Sequence, residues 1–423
     1  MRSRRAAIVL LGALAAGPVA ADSDTPTWQG VYEGVIGKAH VVAALAPSGA
    51  RYVYLGQAND LGLIVSDAGG ALTMVETLAP GVDEDAAKEH PELVSGAWTA
   101  RFADGALKGV WKDAHGGHER PLALTRISTD DESVGALTTG DRPGAYDERW
   151  LRGAPPVVAA GAEASLGTVS YRPMRDPLFG GLVPRLTRAP AGADLAAVNA
   201  GLDRLQRAQR VEDRECLQAQ RAAAAPNGAE ALKNEEKGAK DSAAALTPTY
   251  ATARLLTIEK SGMVFCGGAH PNLEVAVYTF DLADGALIAG GDDADPLGPS
   301  GLGRALDIQA AKRRAAFDAL WMSDLRARIA AGEKAAPQNS DDDPHCGQVL
   351  LDALRSDGAA IAKAVYPTAQ GLAFRFLAFP HAVEGVCSGG YPFNPLVVPY
   401  AALKPFLKPN QTLLPSPAAP AGK

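Results

Sequence analysis

From Trp28 to about Ile127, apolar and polar positions alternate in short runs broken by Gly, Asp, Asn or Ser. That is the period of half-buried strands joined by turns. The runs are Val31-Tyr32-Glu33, Tyr52-Val53-Tyr54, Leu61 to Val65, Leu72 to Glu76, Trp98 to Phe102, Leu107 to Trp111 and Pro121 to Ile127. About seven or eight strands on such spacing predict an antiparallel β meander, closed as a small barrel or folded as a sandwich. Gly81 to Pro91 is acidic and ends on proline, so it reads as a long loop. Residues 128–165 have a linker's composition, with Asp130-Asp131-Glu132, Gly140, Pro143, Gly144 and Ala154-Pro155-Pro156, and Trp150-Leu151 within it is an apolar pair able to dock on either neighbour.

Beyond residue 166 the period changes. Strands are predicted at Thr168 to Tyr171, Leu182 to Leu186, Tyr250 to Ile258, Leu273 to Asp281, Leu372 to Phe379 and Leu396 to Val398. A helix beginning after Asp194, a good N-cap, carries Leu195, Val198, Leu202 and Leu205 on one seam, which continues to Cys216. A second helix, from about Leu302 to Ala331, aligns Phe317, Leu320, Trp321, Leu325 and Ile329 on one stripe. Its basic residues read as a solvated face. Ala222 to Thr247 reads as an exposed insertion, and 409–423 as a disordered Pro- and Ala-rich tail. The fold expected is therefore β plus α+β: a β domain at 22–127, then an α+β domain at 166–408 in which two helices cover a sheet.

Residues 1–21 change the setting. Arg2, Arg4 and Arg5 precede an apolar stretch from Ala6 to Ala16, and Val19-Ala20-Ala21 supplies small residues before Asp22. This is the pattern of a secretory signal peptide, so a periplasmic or secreted location is expected. Without those three arginines the chain keeps 38 basic and 48 acidic residues, a formal charge of −10. Nucleic acid and anionic lipid are disfavoured as partners. No later run is long and apolar enough for stable membrane insertion.

Export makes disulfides the expected state of Cys216, Cys266, Cys346 and Cys387. Joining neighbours in chain order gives Cys216–Cys266 and Cys346–Cys387, with the two other connectivities left open. No nucleophile-elbow sequence occurs, and Gly30, Gly34 and Gly37 lie in a strand-turn setting with no helix following, so they read as turn and packing glycines. His115 and His118, with Asp113 and Glu119, make a solvated turn in preference to a metal site. Neither His345 beside Cys346 nor Asp292, Asp293 and Asp295 has a full ligand set. No metal, cofactor or catalytic residue is assigned. The most specific stretch is Cys266-Gly267-Gly268-Ala269-His270-Pro271-Asn272. Its glycines permit a tight bend, while His270 and Asn272 offer hydrogen bonds, so Gly267, Gly268, His270 and Asn272 are the candidate ligand-binding residues, with a purely structural turn as the alternative.

The order of GGAHPN, a strand and FDLADGALI resembles the exported domain of unknown function of RsiV-type anti-sigma factors and PdaC-type peptidoglycan deacetylases. The AVNAGL helix from Ala197, QGLAFRF from Gln370 and VVPYAALKPFL from Val397 extend the resemblance over about residues 166–408. The β-rich N-terminal part is similar to small modules of uncharacterised exported bacterial proteins. The resemblance implies a noncatalytic envelope module: in the anti-sigma factors the domain binds lysozyme, and in the deacetylases another domain carries the chemistry. This sequence shows no sigma-binding segment, transmembrane helix or deacetylase metal motif. Recognition of lysozyme, of another cell-wall hydrolase or of a cell-wall glycan is the expectation, with an envelope hydrolase or a structural protein as alternatives.

Overall fold

The computed structural model describes residues 25–47, 49–130, 143–266, 272–290, 297–335, 352, 355–356, 362–376 and 395–415. Eight strands, β1 (Gly30–Ile36), β2 (Ala39–Leu45), β3 (Ala50–Tyr54), β4 (Leu61–Asp67), β5 (Ala71–Thr77), β6 (Val94–Ala103), β7 (Ala106–Asp113) and β8 (Glu119–Ser128), form a closed antiparallel barrel in chain order. The seven predicted runs are all strands, and β2 completes the set. The barrel closes where β1 pairs with β8, from Val31 opposite Ser128 to Ile36 opposite Leu122. Gly34 makes that closure feasible, because a Cβ there would lie 2.0 Å from the Ala123 carbonyl oxygen.

Alternation places Tyr32, Val41, Tyr52, Met74, Trp98, Leu107 and Leu122 inside the barrel, all buried. Its outer face is also apolar along β1 to β3, where Val31, Val42, Ala44 and Val53 are buried. A strand apolar on both faces must be covered on both. One end of the barrel is closed by the chain entering β1: the Trp28 indole N–H donates to Asp67 at 2.8 Å, the Tyr32 hydroxyl donates to the Trp28 carbonyl, and the Arg126 guanidinium donates to the Thr27 carbonyl at 2.6 Å. Burial pushes the Tyr32 phenol up to about 12.

The helix α1 (Glu84–Glu89) lies in the loop expected at 81–91, capped by Asp83, whose carboxylate accepts the Ala86 N–H at 2.8 Å. The described part of the expected linker is structured: α2 (Ala145–Gly153) buries Tyr146, Asp147, Trp150 and Leu151, and β9 (Val158–Ala159) and β10 (Ala164–Leu166) follow. Trp150-Leu151 docks on both neighbours, meeting Val31, Val42 and Val53 of the barrel and Phe179 and Leu217 beyond it.

The remaining elements are β11 (Val169–Arg175), β12 (Leu182–Arg188), α3 (Leu195–Ala224), α4 (Ala229–Ser242), β13 (Ala245–Ala251), β14 (Leu255–Val264), β15 (Asn272–Asp281), β16 (Leu287–Ala289), α5 (Ala311–Ala335), β17 (Ala362–Pro367), β18 (Gly371–Phe376), β19 (Leu396–Pro399) and α6 (Tyr400–Leu403). The expected α+β layer is divided into three antiparallel sheets: β9 to β12, β13 to β16, and β17 to β19. Alternation identifies strands but not which of them share a ladder. The run predicted from Tyr250 to Ile258 is two strands, split at Thr252, whose hydroxyl oxygen accepts the Arg254 and Leu255 N–H groups.

The segment read as an exposed insertion holds the end of α3, a 3₁₀ turn at Ala225–Asn227, helix α4 and the start of β13, and it packs Leu232 beside Ala224, Ala225 and the barrel-loop residues Val82 and Leu93. A 3₁₀ turn at Leu302–Arg304 precedes α5, so the second helix begins at Ala311 and not near Leu302; Phe317, Trp321 and Leu325 are buried as the apolar stripe requires. Leu413 and Leu414, expected in the tail, are buried in the same core. Among the described residues, no helix is long and apolar enough to cross a membrane.

Candidate functional site

Helix α3 decides where charge is buried. Asp194 caps it by accepting the Ala197 N–H at 2.9 Å, and Val198 and Leu202 face the sheets through contacts with Leu186, Leu256 and Phe280. The second half turns a different stripe toward α2 and the barrel: Arg207, Arg210, Arg214, Gln218 and Arg221, spaced three or four apart. Arg210 pairs with the buried Asp176 and donates to the Pro155 carbonyl at 2.6 Å. Arg221 donates to the Leu78 carbonyl of the barrel and, at 2.9 Å, to Glu236 of α4. Gln218 donates to the Ala58 carbonyl at 3.2 Å.

Arg214 is the centre of this junction. Its side chain is 0% exposed, it pairs with Asp147 of α2, and its Nε lies 4.0 Å from Asp60 of the barrel, itself 3.5 Å from Arg51. The guanidinium is stacked 4.4 Å from the Trp150 ring centroid and 4.8 Å from that of Tyr146, with Arg51 4.6 Å from the Tyr146 ring. Trp150 is fixed in turn by donating to the Gln57 carbonyl at 2.7 Å. Burial, reinforced by the Asp60 charge, holds the Tyr146 phenol far above its ordinary value. Burial and the nearby Asp147 carboxylate raise the half-buried Glu215 carboxyl. Two carboxylates and two aromatic faces around one guanidinium make a clamp with contributions from the barrel, α2 and α3.

A second buried charge lies inside the barrel. Glu76, 3% exposed, accepts from Tyr52 Oη at 2.6 Å, Trp98 Nε1 at 3.0 Å, Trp111 Nε1 at 2.6 Å and Ser95 Oγ at 2.8 Å. The carboxylate is thus solvated by protein donors. Burial and the Glu76 charge push the Tyr52 phenol far up, so it remains a donor. Gly96 gives the Trp111 indole room, since a Cβ at that position would lie 2.9 Å from Nε1.

Of the residues nominated from sequence, Cys216 and Cys266 form a disulfide with Cα atoms 4.4 Å apart, joining the C-terminal third of α3 to the chain just after β14. Cys346, Cys387, Gly267, Gly268 and His270 lie outside the described residues, as does the acidic segment Asp292 to Asp295. Asn272 opens β15 opposite Val264. His115 and His118 are in an exposed turn whose Asp113 carboxylate accepts the His115 and Gly117 N–H groups; the Gly117 bond is the main cause of its lowered pKa. Glu119 pairs with Lys112. Among the described residues, no group of three or more His, Cys, Asp and Glu is placed to hold a metal ion.

Sequence reasoning missed both networks. The signal for the first was available as the Arg/Gln stripe on α3, but such a stripe ordinarily faces water. Glu76 ends an otherwise apolar inward series with Leu72 and Met74, a buried-carboxylate signal visible once the strand's parity is known. No family model matches the chain, and no curated protein matches it.

Proposed function

We propose that this chain is an exported, noncatalytic binding protein of the bacterial cell envelope, and that its partner is a lysozyme-like cell-wall hydrolase. The observation that carries this reading is the Cys216–Cys266 disulfide. Such a cross-link belongs in an oxidising compartment, and here it fixes the root of the segment containing Gly267, Gly268 and His270 to a long helix clamped against the barrel. Anchoring a segment on a rigid body lowers the ordering cost of recognition.

The two buried networks are structural. Asp147 and Glu76 are engaged by internal donors and almost without solvent contact, so neither side chain is presented to a ligand. The acidic balance of the mature chain complements a basic partner.

The test is titration of the purified oxidised chain with lysozyme at low and physiological salt, with a muramidase assay alongside. Saturable binding that weakens but persists as salt rises is the expected outcome. The assay then separates inhibitor from receptor. No binding at low salt would overturn the proposal.

A further inference from the structure

The two ends of the barrel are built alike and finished differently. Arg120 and Arg126 lie on the same strand, β8, six positions apart and therefore on the same inward-facing set. At the closed end Arg126 lies 5.1 Å from the Phe102 ring centroid, and its N–H edge reaches the Thr27 carbonyl at 2.6 Å and the Gln29 carbonyl at 3.4 Å. A nearby indole, that of Trp28, donates to a carboxylate, Asp67.

The opposite end repeats the parts. Arg120 lies 5.1 Å from the Trp111 ring centroid, and the Trp111 indole donates to the Glu76 carboxylate. The difference is at the edge of the guanidinium. Among the described residues the Arg120 side chain has no hydrogen-bond or ion-pair partner, its charge acting on the nearby Tyr54 phenol; it is exposed, with its stem 3.3 Å from where a Cβ on Gly37 would stand.

We propose that this mouth of the barrel is a binding site for a small carboxylate, held in bidentate fashion by Arg120. Stacking occupies the face of a guanidinium and leaves its in-plane N–H fork free, the geometry that a carboxylate matches. The platform is preorganised: Trp111 is pinned by Glu76, Glu76 is shared with Trp98 and Tyr52, and Tyr52 lies 5.5 Å from the half-buried Tyr54 at the same end. Closed-end carbonyls show what the equivalent guanidinium takes as acceptor when one is supplied by the chain itself. At the mouth the proposed ligand's carboxylate would take that place.

The choice of ligand rests on the envelope-binding reading: wall polymers offer carboxylates on a sugar acid or at a peptide C-terminus. Titration of the full oxidised chain by calorimetry and by tryptophan fluorescence, using N-acetylmuramic acid, N-acetylglucosamine and acetyl-alanyl-alanine, distinguishes the sources. Saturation by N-acetylmuramic acid but not by the uncharged sugar is the expected result. Saturation by the dipeptide alone keeps the carboxylate site and assigns it to peptide ends.

Arg120→Gln, a surface change that leaves the barrel core intact, is expected to weaken binding about tenfold or more, and Arg120→Lys to fall between. No saturation by either carboxylate, or equal affinity in Arg120→Gln, would overturn the proposal. Such a failure with lysozyme binding intact removes this site alone, whereas loss of lysozyme binding with carboxylate binding intact removes the hydrolase partner.

Discussion

Glu76 inside the barrel and Arg214 at the junction are both buried charges, and the protein stabilises them in opposite ways. Glu76 is held by neutral donors from strands β3, β6 (Ser95 and Trp98) and β7, all within one closed sheet. Arg214 is held by charges and rings brought from separate elements, Asp60 from the barrel and Asp147, Tyr146 and Trp150 from α2. The first network exists as soon as the strand register is set. The second requires the barrel, α2 and α3 to dock together. The carboxylate also has a donor at each oxygen, whereas Arg214 Nε and Nη1 and Asp60 Oδ1 make no hydrogen bond. A buried ion pair removed from one side leaves an uncompensated charge, so the junction is the more fragile of the two.

The largest expected effect is at that point. Arg214→Ala leaves Asp147 buried without its cation and Asp60 with Arg51 alone, and should cost about 3–5 kcal/mol. Denaturant unfolding followed by two probes, far-UV signal and barrel tryptophan fluorescence, should then separate into two transitions as the barrel parts from the rest. A single coincident transition with unchanged midpoint would remove the clamp from the account.

Glu76→Ala strands the Trp98 and Trp111 indoles and the Tyr52 hydroxyl in an apolar interior, for a loss of about 3 kcal/mol. Its signature should be confined to the barrel, appearing in near-UV circular dichroism of the tryptophans. A loss spread equally over both halves would erase the distinction between a network inside one sheet and a network between elements.

The smallest effect sharpens the junction electrostatics. Burial and Asp147 raise the Glu215 carboxyl, so the folded state holds its proton to a higher pH than the unfolded chain does. Stability therefore falls as pH rises through that window, and the charged carboxylate is a liability at neutral pH. Glu215→Gln should stabilise the protein at pH 7 by less than about 1 kcal/mol, because the group is partly solvated, and the gain should vanish below pH about 4.5. Urea midpoints of both proteins across that range check the sign.

Much of the barrel was legible because a strand buried on one side alternates, and each predicted run from Val31 to Ile127 is a strand. Strand β2 was harder to read. Its burial covers Val41 to Leu45 without interruption, since the inner face meets the barrel core and the outer face meets α2, which erases the alternation. The Asp194 cap and the Cys216–Cys266 pairing were readable for local reasons, a capping residue before an apolar seam and chain-order pairing. Helix α2 was not, because Pro143, Gly144, Pro155 and Pro156 bracket it so closely that its composition is that of a linker.

Taken alone, the sequence determined the period of most barrel strands, the start of α3 at its Asp194 cap, and the charge the molecule carries, since these depend on composition or on neighbours a few residues away. Only the tertiary structure decided that the meander closes into a barrel, that α+β strands divide among three sheets, and that Glu76 and Arg214 are buried. Those outcomes depend on contacts between positions far apart in the chain, such as Arg214 with Asp60 and Trp111 with Glu76, and a polar residue has the same local pattern whether its partner is water or another part of the fold.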